Sequence, residues 1–309
     1  MSYAAVIGTF DGLHRGHQRL LEQLREVAEA RGLQSMAVTF TEHPMAHIPP
    51  FAVPPRLCDN ARRIRLLEQS VDKVVVLDFS TIKHLTAAQF MERLAALGVT
   101  VLLMGYDTRF GSDMPREAEV YRTAASAAGI TVVFCSTAVH TDDGAVIASS
   151  SIRKALADGD VATAALMLGR PYAVTGTVDA GRGQGRTIGF PTANVRPDDP
   201  EVAVPAPGVY ACVADAVSAD GSTIFRDRPA MVNIGTCPTF VPDGRKITIE
   251  AHIPGFAGDL YGATLSLRFV RRMRSERAFP SVEALKAQLH SDAAKTLEIL
   301  KQAGLGNPH

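Results

Sequence analysis

The stretch Ile7-Gly8-Thr9-Phe10-Asp11-Gly12-Leu13-His14-Arg15-Gly16-His17 follows an apolar run over residues 4–7 that reads as a short buried strand. It precedes residues 18–30, where Leu20, Leu21, Leu24, Val27 and Ala28 recur at helical spacing. A strand therefore enters a glycine-punctuated turn and a helix leaves it. Such a turn points backbone N–H groups and the positive end of a helix at one spot, which suits a phosphate. His14 and His17 lie three apart and face the same way if both sit near the helix start. Two imidazoles there can donate hydrogen bonds to oxygens that gain charge during a reaction. Taken alone, the same residues could form only a turn.

Working outward, residues 36–40, 74–77, 101–104 and 131–134 read as further strands. A loop with Pro44, Pro49, Pro50, Pro54 and Pro55 blocks regular structure, and helical spacing resumes through Ile64, Leu67 and Val71. Thr86 caps a helix with the stripe Phe90, Met91, Leu94 and Leu97 that stops at Gly98, and residues 116–128 form another helix. This alternation predicts a doubly wound, Rossmann-like parallel sheet with helices on both faces, its ligands beyond the carboxyl ends of the strands. The opening turn, His43 and residues 105–111 all fall at such ends. Ser149-Ser150-Ser151-Ile152-Arg153 leads into a helix over residues 152–157. Its hydroxyls and arginine could bind phosphate, or the serines could only cap the helix.

After Gly169-Arg170-Pro171 the rhythm changes, which places a domain boundary between residues 1–169 and 170–309. Val174, Gly176 and Val178 alternate, and residues 209–213, 231–234, 247–253 and 265–269 read as strands with no helices between them. Short strands separated by turns predict a small antiparallel β-barrel. Helical spacing returns at residues 281–300 through Val282, Leu285, Leu289, Leu297 and Leu300. Within the barrel, Gly181-Arg182-Gly183-Gln184-Gly185-Arg186-Thr187-Ile188-Gly189-Phe190-Pro191-Thr192-Ala193-Asn194 lets backbone approach a ligand closely. Thr192 and Asn194 add hard oxygen donors suited to Mg²⁺ beside nucleotide phosphates. No Walker G-K-[ST] ending is present, and a glycine-rich hairpin is the alternative. On the strand over residues 246–253, Ile247, Ile249, Ala251 and Ile253 alternate onto one face and leave Thr248, Glu250 and His252 on the other. Glu250 could take a proton from a substrate hydroxyl attacking a γ-phosphate, or be a solvated surface charge.

Composition narrows the classes. The chain has 309 residues, enough for two domains, is 46% apolar and carries no formal net charge. That argues against a nucleic-acid partner bound by phosphate neutralisation, and any anionic ligand must be held locally. Cys58, Cys135, Cys212 and Cys237 are scattered without a C-x-x-C pair, so they read as reduced thiols of a cytoplasmic protein. Neither a signal peptide nor a run long enough to span a membrane is expected.

The first motif resembles the G-x-F-D-x-x-H-x-G-H signature of adenylyl- and cytidylyltransferases, and residues 149–153 resemble their second phosphate-binding motif. The barrel stretch, with Gly208-Val209-Tyr210, Asn233-Ile234-Gly235-Thr236-Cys237-Pro238-Thr239-Phe240, Ile249-Glu250-Ala251-His252 and Arg274-Ser275-Glu276-Arg277-Ala278-Phe279, resembles riboflavin kinase. In this order the motifs resemble the bacterial bifunctional riboflavin kinase/FAD synthetase family over nearly the whole chain. The resemblance implies that riboflavin and ATP give FMN in the C-terminal half, and that FMN and ATP give FAD and pyrophosphate in the N-terminal half. It implies ATP phosphates on Gly8, Phe10, Asp11, Gly16, Ser150, Ser151 and Arg153, with His14 and His17 stabilising the developing charge. In the kinase it implies ATP on Gly183, Gly185, Gly189, Thr192 and Asn194, with Mg²⁺ on the last two and Glu250 as the base for the ribityl 5′-hydroxyl. Arg274 and Arg277 fall in its flavin-side loop. Asp107 and Phe110 fall in the N-terminal flavin segment.

Three stretches depart from the family pattern: Thr108 replaces an aromatic residue, Glu42 replaces a proline, and Ser112-Asp113-Met114-Pro115-Arg116 replaces a basic glycine-containing turn. They touch the acceptor side of the N-terminal half and spare the phosphate motifs. They leave a second reading open, a riboflavin kinase whose N-terminal domain is weak, inactive or directed at another acceptor. A flavin- or nucleotide-binding regulatory protein without turnover is a third, which His14, His17, Thr192, Asn194 and Glu250 together disfavour.

Overall fold

The computed structural model describes residues 1–47, 53–105, 108–114, 117–135, 138–142, 144–180, 184–238 and 245–305. The chain divides into two compact units, Met1–Ser149 and Ser150–His309.

The first unit is built on five parallel strands, β1 (Tyr3–Ile7), β2 (Gln34–Phe40), β3 (Lys73–Leu77), β4 (Val99–Gly105) and β5 (Thr131–Cys135), in the order β3-β2-β1-β4-β5. β1 is central, and its side chains alternate between two cores. Tyr3, Ala5 and Ile7 meet the buried face of α4 (Ala87–Ala96) and residues Tyr121 and Ala125 of α5 (Ala118–Ala127). Ala4 and Val6 meet Leu21, Leu24 and Ala28 of α1 (Arg15–Ala30) and Leu67 of α2 (Asn60–Glu68). This is the doubly wound arrangement, and it sends the loops after β1, β2 and β4 to one end of the sheet. Thr86 caps α4 as expected, in a reciprocal capping box with Gln89. A short helix, α3 (Phe79–Ile82), lies between β3 and α4.

The second unit takes α6 (Ser149–Ala157) from its second residue onward and α7 (Val161–Leu168), then a closed barrel in the order β10-β7-β6-β11-β8-β9. Its strands are β6 (Tyr172–Asp179), β7 (Ala193–Pro197), β8 (Gly208–Val217), β9 (Thr223–Pro238), β10 (Arg245–His252) and β11 (Thr264–Arg274), and every pairing is antiparallel. A single turn, α8 (Gln184–Thr187), lies between β6 and β7, and α9 (Val282–Gln302) packs on β8, β9 and β11. Tyr172 and Tyr210 pack on Phe269 and all three are fully buried, with ring centroids 5.4 Å apart for the Tyr210–Phe269 pair.

Several features differ from the sequence expectation. α7 is an additional helix whose Val161, Ala164, Met167 and Leu168 are buried against the barrel. Residues 150–169 thus belong with the second unit, and the division falls ahead of the composition shift at Gly169-Arg170-Pro171. β7 is an additional strand. On α9, Leu285, Leu289 and Leu300 face the barrel as expected, but Val282 and Leu297 are exposed and Asp292 and Thr296 face inward with Ile299. On β10, Ile249, Ala251 and Ile253 are buried as expected and His252 lines the same cavity as Glu250, though only 8% exposed, but Ile247 is exposed.

Candidate active sites

In the first unit, β1 leads into a 3-10 turn, Asp11–Leu13, and His14 is the N-cap of α1. Phe10 and Leu13 take left-handed backbone conformations at φ 49° and 41°, as does Gly12 at 72°. Two non-glycine residues held in this region indicate a turn over-determined by its surroundings, a frequent property of functional sites. A Cβ on Gly16 would lie 3.1 Å from the His14 ring, so glycine lets that imidazole lie flat against the helix start. The His17 backbone N–H donates to His14 Nδ1 at 3.4 Å, and the two rings stack with centroids 3.7 Å apart. His14 therefore carries any ring proton of its neutral form on Nε2. His17 Nδ1 is buried without a hydrogen-bond partner. Burial, reinforced by His14, holds His17 well below its ordinary value of 6.5, so it is neutral near pH 7.

Asp11 is buried, and its Oδ1 accepts the Leu57 backbone N–H at 2.8 Å. It supports the turn from beneath. The Ser149 hydroxyl donates to the Asp11 carbonyl at 3.2 Å. Ser150, Ser151 and Arg153 follow on the first turns of α6, in the second unit. Gly8 leaves room for the Phe10 ring, which a Cβ would approach to 3.2 Å. Phe110 is half-buried between Phe90 and Tyr121, with centroids at 5.2 and 4.8 Å, and the Tyr121 hydroxyl donates to its carbonyl at 2.9 Å. Asp107 lies outside the described residues. Asp113, in the departing turn, accepts the Ala87 N–H at 2.8 Å and supports the start of α4.

In the second unit, a cavity of about 300 Å³ is lined by Thr192, Glu250, His252, Asn233 and Gly185, with apolar walls that include Phe190, Val209, Met231, Leu285 and Leu289. β10 runs between β7 and β9, so Glu250 pairs with Asn194 on one side and Asn233 on the other. Directly paired residues project to the same face, which sets two amides beside the carboxylate. Asn233 Nδ2 donates in turn to Glu276 at 3.3 Å. A Cβ on Gly185 would lie 2.2 Å from the Phe190 carbonyl oxygen, so only glycine fits there. Gly189, at φ 83°, takes the left-handed conformation of the turn after α8. Gly183 lies outside the described residues.

Arg274 forms a two-pronged ion pair with Asp292 of α9, at 2.9 Å through Nε and 2.8 Å through Nη2. Arg277 donates to Gln288 and lies 4.9 Å over the Phe279 ring. Both arginines line the cavity, and both fasten the loop over residues 274–279 to the helix behind it. The strand pattern gives His252 a face but no role. Its ring bonds through Nδ1 to the Pro191 carbonyl at 2.8 Å, immediately before Thr192. A second cavity of about 270 Å³ also includes Thr192 in its wall, with Ala193, Phe256, Leu260 and Tyr261.

Residues 2–151 match the FAD synthetase family model and residues 168–300 the riboflavin kinase model. Bifunctional riboflavin kinase/FMN adenylyltransferase of Pseudomonas fluorescens is 37% identical over 293 residues, covering 94% of this chain and 90% of that protein. This chain belongs to the bifunctional riboflavin kinase/FMN adenylyltransferase family. The family member from Escherichia coli K12 is 35% identical, over 98% of this chain and 93% of its own length. A solved Streptococcus pneumoniae structure described as a macrolide-efflux protein superposes with a TM-score of 0.82 at 32% identity, over 96% of this chain and 93% of that one. No helix among the described residues here is long and apolar enough to cross a membrane. In this chain the FAD synthetase match precedes the riboflavin kinase match.

Proposed function

We propose that this chain converts riboflavin to FMN and FMN to FAD, using ATP in both steps. The observation that carries the kinase step is the cavity that brings Glu250, Thr192, Asn233 and a set of apolar walls together. A flat ring system fits between Phe190, Val209, Met231, Leu285 and Leu289, which leaves its polar chain facing Glu250. Thr192 belongs to the walls of both cavities, so ATP lying across it would present its γ-phosphate to the first and its base to Phe256, Leu260 and Tyr261 of the second. Glu250 then takes the proton of the hydroxyl as it attacks the γ-phosphorus, and the bond to the β-phosphate oxygen breaks to release ADP. Thr192 and Asn194 offer hydroxyl and amide oxygens, a hard donor set that fits Mg²⁺. When bound, Mg²⁺ neutralises charge on the nucleotide phosphates. Gly185 and Gly189 allow backbone to approach the nucleotide closely, and Arg274 and Arg277 form the flavin-side wall.

At the opening turn, the α1 N-terminus and the His14–His17 pair receive the phosphates of a second ATP, and FMN attacks its α-phosphorus with loss of pyrophosphate. Phe10 and Asp11 shape the turn, and Gly8 and Gly16 give it space; Ser150, Ser151 and Arg153 carry the family's second phosphate motif. Position and electrostatics carry this step, with no covalent intermediate. His17 Nδ1, buried and unpaired, gains a partner when phosphate arrives.

The test is a flavin chromatogram of purified protein with riboflavin, ATP and Mg²⁺. FMN and FAD should both form. Glu250→Gln should abolish FMN formation from riboflavin and spare FAD formation from added FMN. Equal loss of both products would overturn the assignment of the base.

A further inference from the structure

Arg63 is 6% exposed and sits at a core-facing place of α2, one turn before Leu67. Its guanidinium donates from Nη1 to the Thr9 carbonyl at 2.7 Å and from Nη2 to the Phe40 carbonyl at 2.5 Å. Nε is buried without a partner, and no carboxylate among the described residues pairs with it within 4 Å. Asp11 acts on it only at longer range, and burial pulls the guanidinium below its ordinary value. An apolar side chain would fill such a place with far less desolvation, so stability alone does not account for a cation here.

The two carbonyls identify its task. Phe40 ends β2 and Thr9 lies just beyond β1, its parallel neighbour, where the ladder closes with the Gly8 N–H on Val38 O at 3.1 Å. Past that point the two chains diverge, one into the turn that carries His14 and His17. Thr9 immediately precedes Phe10, the first residue of that turn in the left-handed region. A strained turn keeps its shape only if its ends are fixed. One end is held by the Asp11 contacts with Leu57 and Ser149, and the other by Arg63. A planar fork reaches both carbonyls at once, which an ammonium on a flexible stem does not.

We propose that Arg63 is a positioning residue for adenylyl transfer, clamping Thr9 and Phe40 so that the turn over residues 9–17 presents His14 and His17 to the nucleotide phosphates. The inference rests on the assignment of that turn to the phosphates made above. The full chain carries its own control, because riboflavin phosphorylation belongs to the other unit. Arg63→Lys, Arg63→Met and His17→Ala should be compared for kcat and ATP KM of FAD formation from FMN, for FMN formation from riboflavin, and for thermal unfolding. Arg63→Lys, which keeps the charge and loses the fork, should lower the transferase kcat about tenfold and Arg63→Met about 10²-fold. FMN formation should stay within about twofold of wild type in both, and the folded fraction at the assay temperature should be unchanged in Arg63→Lys. Wild-type transferase kcat in Arg63→Lys and Arg63→Met, beside a loss of about 10² in His17→Ala, would overturn the clamp alone. A loss in Arg63→Lys that merely follows its unfolded fraction would overturn it too. Wild-type FAD formation in His17→Ala would remove the phosphate assignment itself.

Discussion

Gly185→Ala tests the kinase site through distance alone. The new methyl would sit 2.2 Å from the Phe190 carbonyl oxygen and 3.4 Å from the Thr192 hydroxyl. An ordinary contact needs about 3.4 Å, so one of the two backbones must retreat by roughly an ångström. Phe190 cannot yield freely, because its N–H donates to the Gly185 carbonyl at 2.8 Å and its ring packs on His252 and His290. The displacement therefore passes along the chain through Pro191 to Thr192. Misplacement of a positioned group by about 1 Å costs on the order of 10² in rate, and overpacking of this kind costs about 1–3 kcal/mol of stability. FMN formation from riboflavin should fall about 10²-fold, while FAD formation from FMN stays near wild type. Both are read from one chromatogram, and urea unfolding supplies the stability change. A kinase rate within about threefold of wild type would refute the reasoning, since it would mean that the turn relaxes without moving Thr192.

Asp292→Ala should destabilise the second unit by about 3 kcal/mol in urea unfolding, because it leaves the guanidinium of Arg274 without its partner; a change below about 1 kcal/mol would count against the pair. Acidification should weaken the first unit through His17. Its folded-state value lies below 6.5, so its contribution is full above that pH and is lost as pH falls, by up to about 1.4 kcal/mol per unit. Denaturation of wild type and His17→Gln at about pH 7.5 and 5.5 should therefore show a smaller pH dependence in the variant, and equal dependence would contradict the burial argument. Chelation of divalent cations should stop FMN formation and added Mg²⁺ restore it, whereas unchanged turnover in chelator would exclude a role for Thr192 and Asn194 as metal ligands.

The doubly wound unit was legible because every strand of its sheet is an apolar run set between amphipathic helices. The central strand alternates between two buried cores, so its pattern has no solvent face to dilute it. The barrel was legible from alternation, but β7 was not. Asn194, Arg196 and Pro197 lower its strand character, and Ala193 and Asn194 double as part of the ligand stretch. α7 escaped because eight residues, apolar on most sides, carry little periodicity. The face of α9 is legible only in part because two inward positions are polar: Asp292 is satisfied by Arg274 and Gln288, and Thr296 by the Asp292 carbonyl. Arg274 lies 18 residues from Asp292 in sequence, so hydropathy along the helix does not anticipate that pair. Arg63 is hidden for the same reason, since a charged side chain at a core-facing position reads as surface until its carbonyl acceptors are located, and the tie of His252 to the Pro191 carbonyl spans 61 residues. Phe110, whose place in the flavin segment came from resemblance, lies in an aromatic cluster with Phe90 and Tyr121.

The position of Glu250 bears on how such an enzyme could be redesigned. Its strand is hydrogen-bonded on both edges within a closed barrel, opposite Asn194 and Asn233. The backbone beneath the carboxylate cannot slide toward a new acceptor without breaking two ladders at once. A library meant to accept altered flavins is therefore best spent on positions that reach the same cavity from outside the ladders, such as Arg277, Phe279, Leu285 and Leu289. Diversity placed on β10 would mostly sample broken scaffolds.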